Sequence, residues 1–347
     1  MAYTTIDKST DYFNTVLYTG NGTDNHAITG VGFQADFIWI KARSAAKEHR
    51  LQNSVSGITN HLRSNSTTAE SSGSVKTADS DGFTLGTSLS WNQNSTTYAS
   101  WNWLAGGTAS SNTDGSITSS VSASTTAGFS IGTFTGNATA GATIGHGLGT
   151  TPAWIICRTI SAAKDWCVYH HKNTSAPETE VLILNSTAAT SDTNDRWNDT
   201  APTSSVFTIG DSSQLNTSSG TSLFYAFAEK KGYSKFGSYT GNGNADGTFV
   251  YTGFKPSWLM YKRTDSAHGW FMLDNKRDTF NVSYKMLRAE NNDAEDTGSS
   301  PVVDFLSNGF KMRNAYASAN ASGGTYIYLA FAESPLVNSN GVPNNAR

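Results

Sequence analysis

Carboxylates, histidines and loop tryptophans are the residues of this chain whose types can carry chemistry, so their spacing comes first. Seven histidines occur. His170 and His171 are adjacent, and neighbours on a strand point to opposite faces, so the pair does not converge on one metal. His26, His146 and His268 fall at unrelated places, and no Cys/His spacing matches a zinc site. Asp79-Ser-Asp81-Gly82 and Asn242-Gly-Asn-Ala-Asp246-Gly247 resemble pieces of calcium loops but lack the later bidentate glutamate. Asp-Gly and Asn-Gly are hairpin-turn signals in their own right. Neither a metal nor a cofactor is expected.

No nucleophile elbow, phosphate loop or dinucleotide fingerprint is present. Paired carboxylates, as in glycoside hydrolysis, are the remaining enzymatic option. The candidates Glu178/Glu180 and Asp293/Glu295/Asp296 lie in loops, where carboxylates are commonly just solvated, so no catalytic residues are expected and a glycan depolymerase ranks last. Trp91 and Trp197 also stand in polar loops, the latter directly after Asp195 and Arg196. An exposed indole flanked by hydrogen-bonding groups is what a sugar-binding surface uses. These four residues are the candidate ligand site. The competing reading folds each tryptophan back over the end of its own unit.

An internal repeat must position these residues. Tyr18-Thr-Gly-Asn21-Gly recurs as Phe134-Thr-Gly-Asn137 and Tyr239-Thr-Gly-Asn242-Gly. An apolar run ending in a base follows each: Phe37-Ile-Trp-Ile-Lys41, Trp154-Ile-Ile-Cys-Arg158 and Trp258-Leu-Met-Tyr-Lys262. Eight residues beyond the base stand His49, Trp166 and Trp270. Phe83, Phe207 and Phe310 head a third block, and Trp101-Asn-Trp103, Tyr225-Ala-Phe227 and Leu329-Ala-Phe331 a fourth. Four ordered anchors at matched spacing imply three homologous units. Their expected bounds are 1–107, 127–231 and 232–337, with a flexible Ser/Thr/Gly linker at 108–126 and a polar tail at 338–347.

Within each unit the period is two, as in Leu223-Phe-Tyr-Ala-Phe-Ala. Gly and Asn clusters separate the runs. The expected fold is all-β, three tandem antiparallel β-sandwich domains, each with its own aromatic interior. Charged residues make up only 15% of the 347, so long amphipathic helices are not expected, while 9 Trp, 14 Tyr and 17 Phe supply a core. Cys157 and Cys167 lie symmetrically about a turn at Ala162, so a cross-strand disulfide is geometrically open, with two buried reduced thiols favoured over it. Lys41, Arg158 and Lys262 form one column and Glu229 and Glu333 another, and a cross-strand ion pair between the columns is expected. Ala105 breaks the acidic column in the first unit.

A net charge of −3 argues against tracking a nucleic-acid backbone. No run of eighteen apolar residues occurs, so no membrane insertion is expected. Met1 to Asp11 lacks an apolar signal core, which makes synthesis in the cytosol the expectation. The opening Met1-Ala-Tyr-Thr-Thr-Ile-Asp7, with Leu17-Tyr-Thr-Gly-Asn-Gly, Phe37-Ile-Trp-Ile-Lys and the closing Tyr328-Leu-Ala-Phe-Ala-Glu333, resembles tandem-repeat proteins of marine tailed bacteriophages. The resemblance spans Leu17 to Pro335. It implies a virion structural protein, a tail-fibre or adhesin-like module for host attachment that binds host surface polysaccharide; a capsid-decoration or tail-connecting role is the alternative. Its partners would be other virion proteins, and a homo-oligomer is expected, a trimer foremost.

Overall fold

The computed structural model describes residues 4–73, 75–298, 302–337, 340 and 342. The expected polar tail therefore lies outside the described residues except for Asn340 and Val342. The protein is all-β, built from antiparallel strands with only short helical turns such as Asn194–Trp197 and Ala317–Asn320. No helix among the described residues is long and apolar enough to cross a membrane.

One strand order recurs. In the first repeat Phe13–Thr19, Thr97–Trp103, Phe37–Ala42 and Arg50–Asn53 lie side by side in that order. In the second the order is Phe129–Thr135, Thr221–Phe227, Trp154–Thr159 and Cys167–His170, and in the third Ser234–Thr240, Thr325–Pro335, Phe254–Arg263 and Trp270–Asp274. The first strand of each repeat thus pairs with its last, as an antiparallel unit needs to bring its ends together. A smaller sheet faces each: His26–Thr29 with Gly82–Leu85 and Val75–Asp79, Ala142–Gly145 with Val206–Ile209, and Phe249–Tyr251 with Gly309–Met312 and Val303–Leu306.

The Thr-Gly-Asn anchors turn the chain out of each first strand. A Cβ on Gly20, Gly136 or Gly241 would lie 2.3, 2.3 or 2.2 Å from the carbonyl oxygen of Gln93, Thr217 or Ala321. Only glycine permits that approach. A buried asparagine fastens each turn: Asn92, Asn216 and Asn320 accept from the backbone N–H of Asn21, Asn137 and Asn242 at 2.8–3.0 Å.

The period of two sorts the larger sheets' residues onto two buried faces. Phe224, Ala226, Ile155 and Cys157 face the smaller sheet of their own repeat. Tyr98, Ile38 and Ile40, and likewise Tyr328, Ala330, Leu259 and Tyr261, do the same in the other repeats. The opposite faces do not form separate interiors, contrary to expectation. Trp39, Trp101, Trp103, Trp154, Tyr225, Phe227, Trp258, Leu329 and Phe331 belong to one shared core. At its centre the equivalent residues Trp103, Phe227 and Phe331 make a triangle with ring centroids 6.4, 5.8 and 6.0 Å apart. The large sheets are therefore covered on both sides, which explains the unbroken apolar runs.

Residues 108–126 are not a free linker. Ser110–Asn112 and Ser119–Ser124 pair with each other and then with Phe129–Thr135, lengthening the second repeat's sheet. Their Ser-rich composition masked the alternation, in which Val121 points into the second repeat's core. Cys157 and Cys167 stand opposite each other in register and are free, buried thiols. Burial pushes both thiols up, Cys167 to about 12.

Candidate functional site

The basic column builds the contacts between repeats. Lys41 Nζ donates to the carbonyls of Asn292 and Asp293 in the third repeat, at 3.3 and 2.7 Å. Arg158 donates to Ser66, Thr67 and Thr68 of the first, at 3.1, 2.6 and 3.1 Å. Lys262 donates to Thr187 of the second at 3.2 Å. The column eight residues on repeats the sense: His49 Nε2 donates to the Arg288 carbonyl at 2.9 Å, Trp166 Nε1 to Arg63 at 2.8 Å and Trp270 Nε1 to Ile183 at 3.0 Å. Trp39 Nε1 donates to His49 Nδ1 at 2.7 Å, which fixes the neutral Nε2–H tautomer. First grips third, second grips first and third grips second, so three seams close on themselves within one chain.

These contacts replace the expected ion pair. Glu229 pairs with Lys235 at 2.9 Å and Glu333 with Lys255, because the bases point away into a neighbouring repeat. Burial lowers Lys41 and Lys262 to about 8 and Arg158 to about 10. Burial also lowers His49, holds His61 near about 4 and holds His170, which donates to the Tyr328 carbonyl, near about 3.

An acid dependence follows. Each histidine binds its proton less well folded than unfolded, so its contribution is present above an unfolded value of about 6.5 and is lost as pH falls towards the folded value, at about 1.4 kcal/mol per pH unit and group. Glu70 and Glu290, raised by burial, act with the opposite sign. His146, His171 and His268 are lowered by burial as well and Glu180 is raised, so six histidines against three carboxylates give a melting temperature that falls steadily from pH 6.5 to pH 4.5; a flat profile over that range would refute this account.

A further column shows where the symmetry fails. Asn65 Oδ1 accepts from His49 N at 3.1 Å while its Nδ2 donates to Glu48 at 2.7 Å. Asn185 accepts from Trp166 N at 2.8 Å and donates to Asp165 at 2.7 Å. In the third repeat the two places hold Glu290 and Gly269. Glu290 Oε2 accepts from Trp270 N at 2.8 Å, and its Oε1 lies 2.2 Å from where a Cβ on Gly269 would sit. The carboxylate has moved to the other member of the pair, and the missing side chain of Gly269 makes room for it.

Beside this pair lies a cleft of about 670 Å³ between the second and third repeats, lined by Asn185, Ser186 and Thr187 on one side and His268, Arg288, Glu290, Asp296 and Tyr316 on the other. That volume is typical of small-ligand sites. The Arg288 guanidinium lies 5.6 Å from the Phe271 ring and 4.0 Å from Asp296 Oδ2. The Tyr316 ring is 48% exposed. A depression of about 300 Å³ adjoins it, sharing Arg288, Asn291 and Asp296 and adding Asp293. Burial raises Glu290 and lowers His268. The arrangement offers carboxylate and carbonyl acceptors, guanidinium and amide donors and one open aromatic face. No group of three or more His, Cys, Asp or Glu able to hold a metal occurs among the described residues.

The four residues expected to bind ligand do not come together. Trp91 is 4% exposed and fills the first repeat's interior under Arg50, whose guanidinium lies 5.3 Å from its ring. Trp197 is 2% exposed and meets Tyr169 and Phe207 edge-on at 6.0 and 6.5 Å. Asp195 and Arg196 pair with each other, and Arg196 also donates to Ser212 at 2.6 Å. Both indoles cap their own repeats and present no face to a sugar. Of the loop carboxylates, Asp296 lines the cleft and Asp293 the adjoining depression, while Glu295 is buried between Arg43 and Arg277. The cleft residues Gly269, Arg288, Glu290 and Tyr316 had one signal in the sequence, the exchange of Glu48/Asn65 and Asp165/Asn185 for Gly269/Glu290.

Residues 8–335 match the model of a family described as a domain of unknown function, DUF7483. No curated protein and no solved structure matches the chain.

Proposed function

We propose that this chain, which belongs to the DUF7483 family, is a bacteriophage virion structural protein, a tail-fibre or tail-tip module that attaches the particle to cell-surface glycans. Each repeat is read as one β-sandwich, made in the host cytoplasm as part of a single chain and assembled with other virion proteins. The observation that carries the reading is the Gly269/Glu290 cleft. It is the one seam of three where the Asn–carboxylate plug is missing, and its half-exposed Tyr316 beside Arg288, Glu290 and Asp296 suits a pyranose ring with hydroxyls at its edge. The resemblance to marine phage repeat proteins supports the virion setting. The homo-oligomer is retained as part of the proposal, with its contacts outside the three seams, which one chain already occupies.

The test restores the plug. Gly269→Asp/Glu290→Asn copies the pair of the second repeat and is expected to abolish binding of host-envelope glycans on an array while leaving the melting temperature within a few degrees. Tyr316→Ala is expected to weaken the same binding at least tenfold. Unchanged glycan binding in both variants would remove the cleft from the proposal.

A second reading has its own observation. Phe249, Tyr251 and Phe280 on the outer side of the third repeat are 45%, 59% and 84% exposed, a surface suited to another virion chain. A decoration or tail-connecting piece would use that surface and bind no sugar.

A further inference from the structure

We infer that the cleft beside Gly269 selects an uncharged or amine-bearing oligosaccharide of at least two sugar units and rejects acidic glycans. This rests on the glycan-binding reading above and specifies its ligand.

The charge balance supplies the first half. Glu290 and Asp296 line the cleft and Asp293 the depression beside it. Against these three carboxylates stands Arg288, which lies over Phe271 and faces Asp296 at 4.0 Å. Lys262 and Lys41 are close by, but their ammonium groups are turned to backbone carbonyls, Lys262 to Thr187 and Arg263 at 3.2 and 2.8 Å and Lys41 to Ala42, Asn292 and Asp293 at 2.9, 3.3 and 2.7 Å. Burial and the nearby Arg263 and Lys262 shift His268 towards its uncharged form. The balance left for a ligand is negative, at Glu290 and Asp293. A uronate or sialate carboxylate placed there meets like charge within a partly buried pocket, where repulsion is weakly screened. Sugar hydroxyls instead donate to carboxylate oxygens, and an ammonium pairs with them.

The shape supplies the second half. The cleft of about 670 Å³ and the depression of about 300 Å³ share Arg288, Asn291 and Asp296 as a common wall. Two neighbouring hollows with donors and acceptors on the wall between them fit a chain of rings laid across that wall better than one ring. Because the other seams keep their Asn65/Glu48 and Asn185/Asp165 plugs, the stoichiometry is one site per chain.

The experiment uses the full chain with matched probes: N-acetylated chitooligosaccharides, their de-N-acetylated counterparts and oligogalacturonates, each from one to four units, measured by calorimetry. One site per chain is expected, with the disaccharides at least tenfold tighter than the monosaccharides and the uronates at least tenfold weaker than the other two series. Glu290→Gln is expected to narrow the discrimination against uronates about tenfold, a change of about 1.4 kcal/mol, and Asp296→Asn serves as a second charge-removing variant should the first fold poorly. Uronates that bind as well as the uncharged series, or single sugars as tight as pairs, overturn the inference while host attachment through glycans stands. If neither these probes nor any host-envelope glycan binds the native chain, the glycan reading itself falls and takes the inference with it.

Discussion

Trp103→Ala is expected to destabilise the whole protein by about 3–5 kcal/mol, the range for removing a fully buried large aromatic. Trp103 is 1% exposed, and its ring lies 4.9 and 5.0 Å from Phe13 and Phe37 of its own repeat. It also lies 6.4 Å from Phe227, 5.8 Å from Trp258 and 5.8 Å from Phe331 of the other two. A cavity there has walls from all three repeats, so hydrogen-exchange protection should fall in the strands that carry Phe227 and Phe331 as well as in the first repeat. Trp103→Phe is the control. Phenylalanine already serves at the two equivalent places, and the indole N–H has no partner, so this change is expected to cost no more than about 1 kcal/mol. Protection lost in the first repeat alone would mean that the three interiors are independent after all.

Glu295→Ala is expected to open the seam between the third and first repeats, at a cost of about 3–5 kcal/mol. Glu295 is buried and bidentate to Arg43, at 2.9 Å for both bonds, and it also accepts from Arg277 at 3.1 Å. Arg277 in turn is held by Asp274 at 2.6 Å, and Asp274 accepts from Trp101 at 3.1 Å. Removing Glu295 leaves the partly buried Arg43 without its counter-charge and the fully buried Arg277 with Asp274 alone. The positions equivalent to Arg43 are Ile160 and Thr264, so neither of the other seams has this device. Those seams are joined through the chain, whereas the first and third repeats are not sequence neighbours. Limited proteolysis and scattering would read the effect as earlier cleavage and a larger radius of gyration. Arg43→Met/Glu295→Met separates the two parts of the cost: an apolar pair of similar size is expected to recover most of the stability. A Glu295→Ala protein as compact and protease-resistant as the native one would refute the role given to this network.

The repeat, its strands and the aromatic anchors were legible because a period of two and four spaced blocks survive in one dimension. What alternation cannot tell is what covers the second face of a sheet. Leu223, Tyr225 and Phe227 read as interior from the sequence, but nothing local says whether that interior belongs to one repeat or to three. The column of Lys41, Arg158 and Lys262 was visible while its partners were not, because they are carbonyl groups in loops of another repeat, and a carbonyl has no letter. Trp91 and Trp197 were misjudged through their polar neighbours. In loops that fold back, Asn92 and Arg196 spend their hydrogen bonds on the protein. The cleft was hidden most deeply, since it consists of a swap between two positions some twenty residues apart, Gly269 and Glu290, within segments that seemed to follow no pattern.

The turn at Ser9–Asp11 packs on the strand Thr325–Pro335, and Tyr12 meets Tyr233, so the first strand of the first repeat and the last of the third meet in one neighbourhood. A structure whose units each hold the next in a cycle has no intrinsic first member. Linking the segment after Pro335 to the segment before Ser9 through a peptide and cutting at the Lys230–Tyr233 turn would give a circular permutant that starts from what is now the last repeat. Which repeat leads is then a matter of gene order, and synthesis could begin at any of the three without altering the folded product.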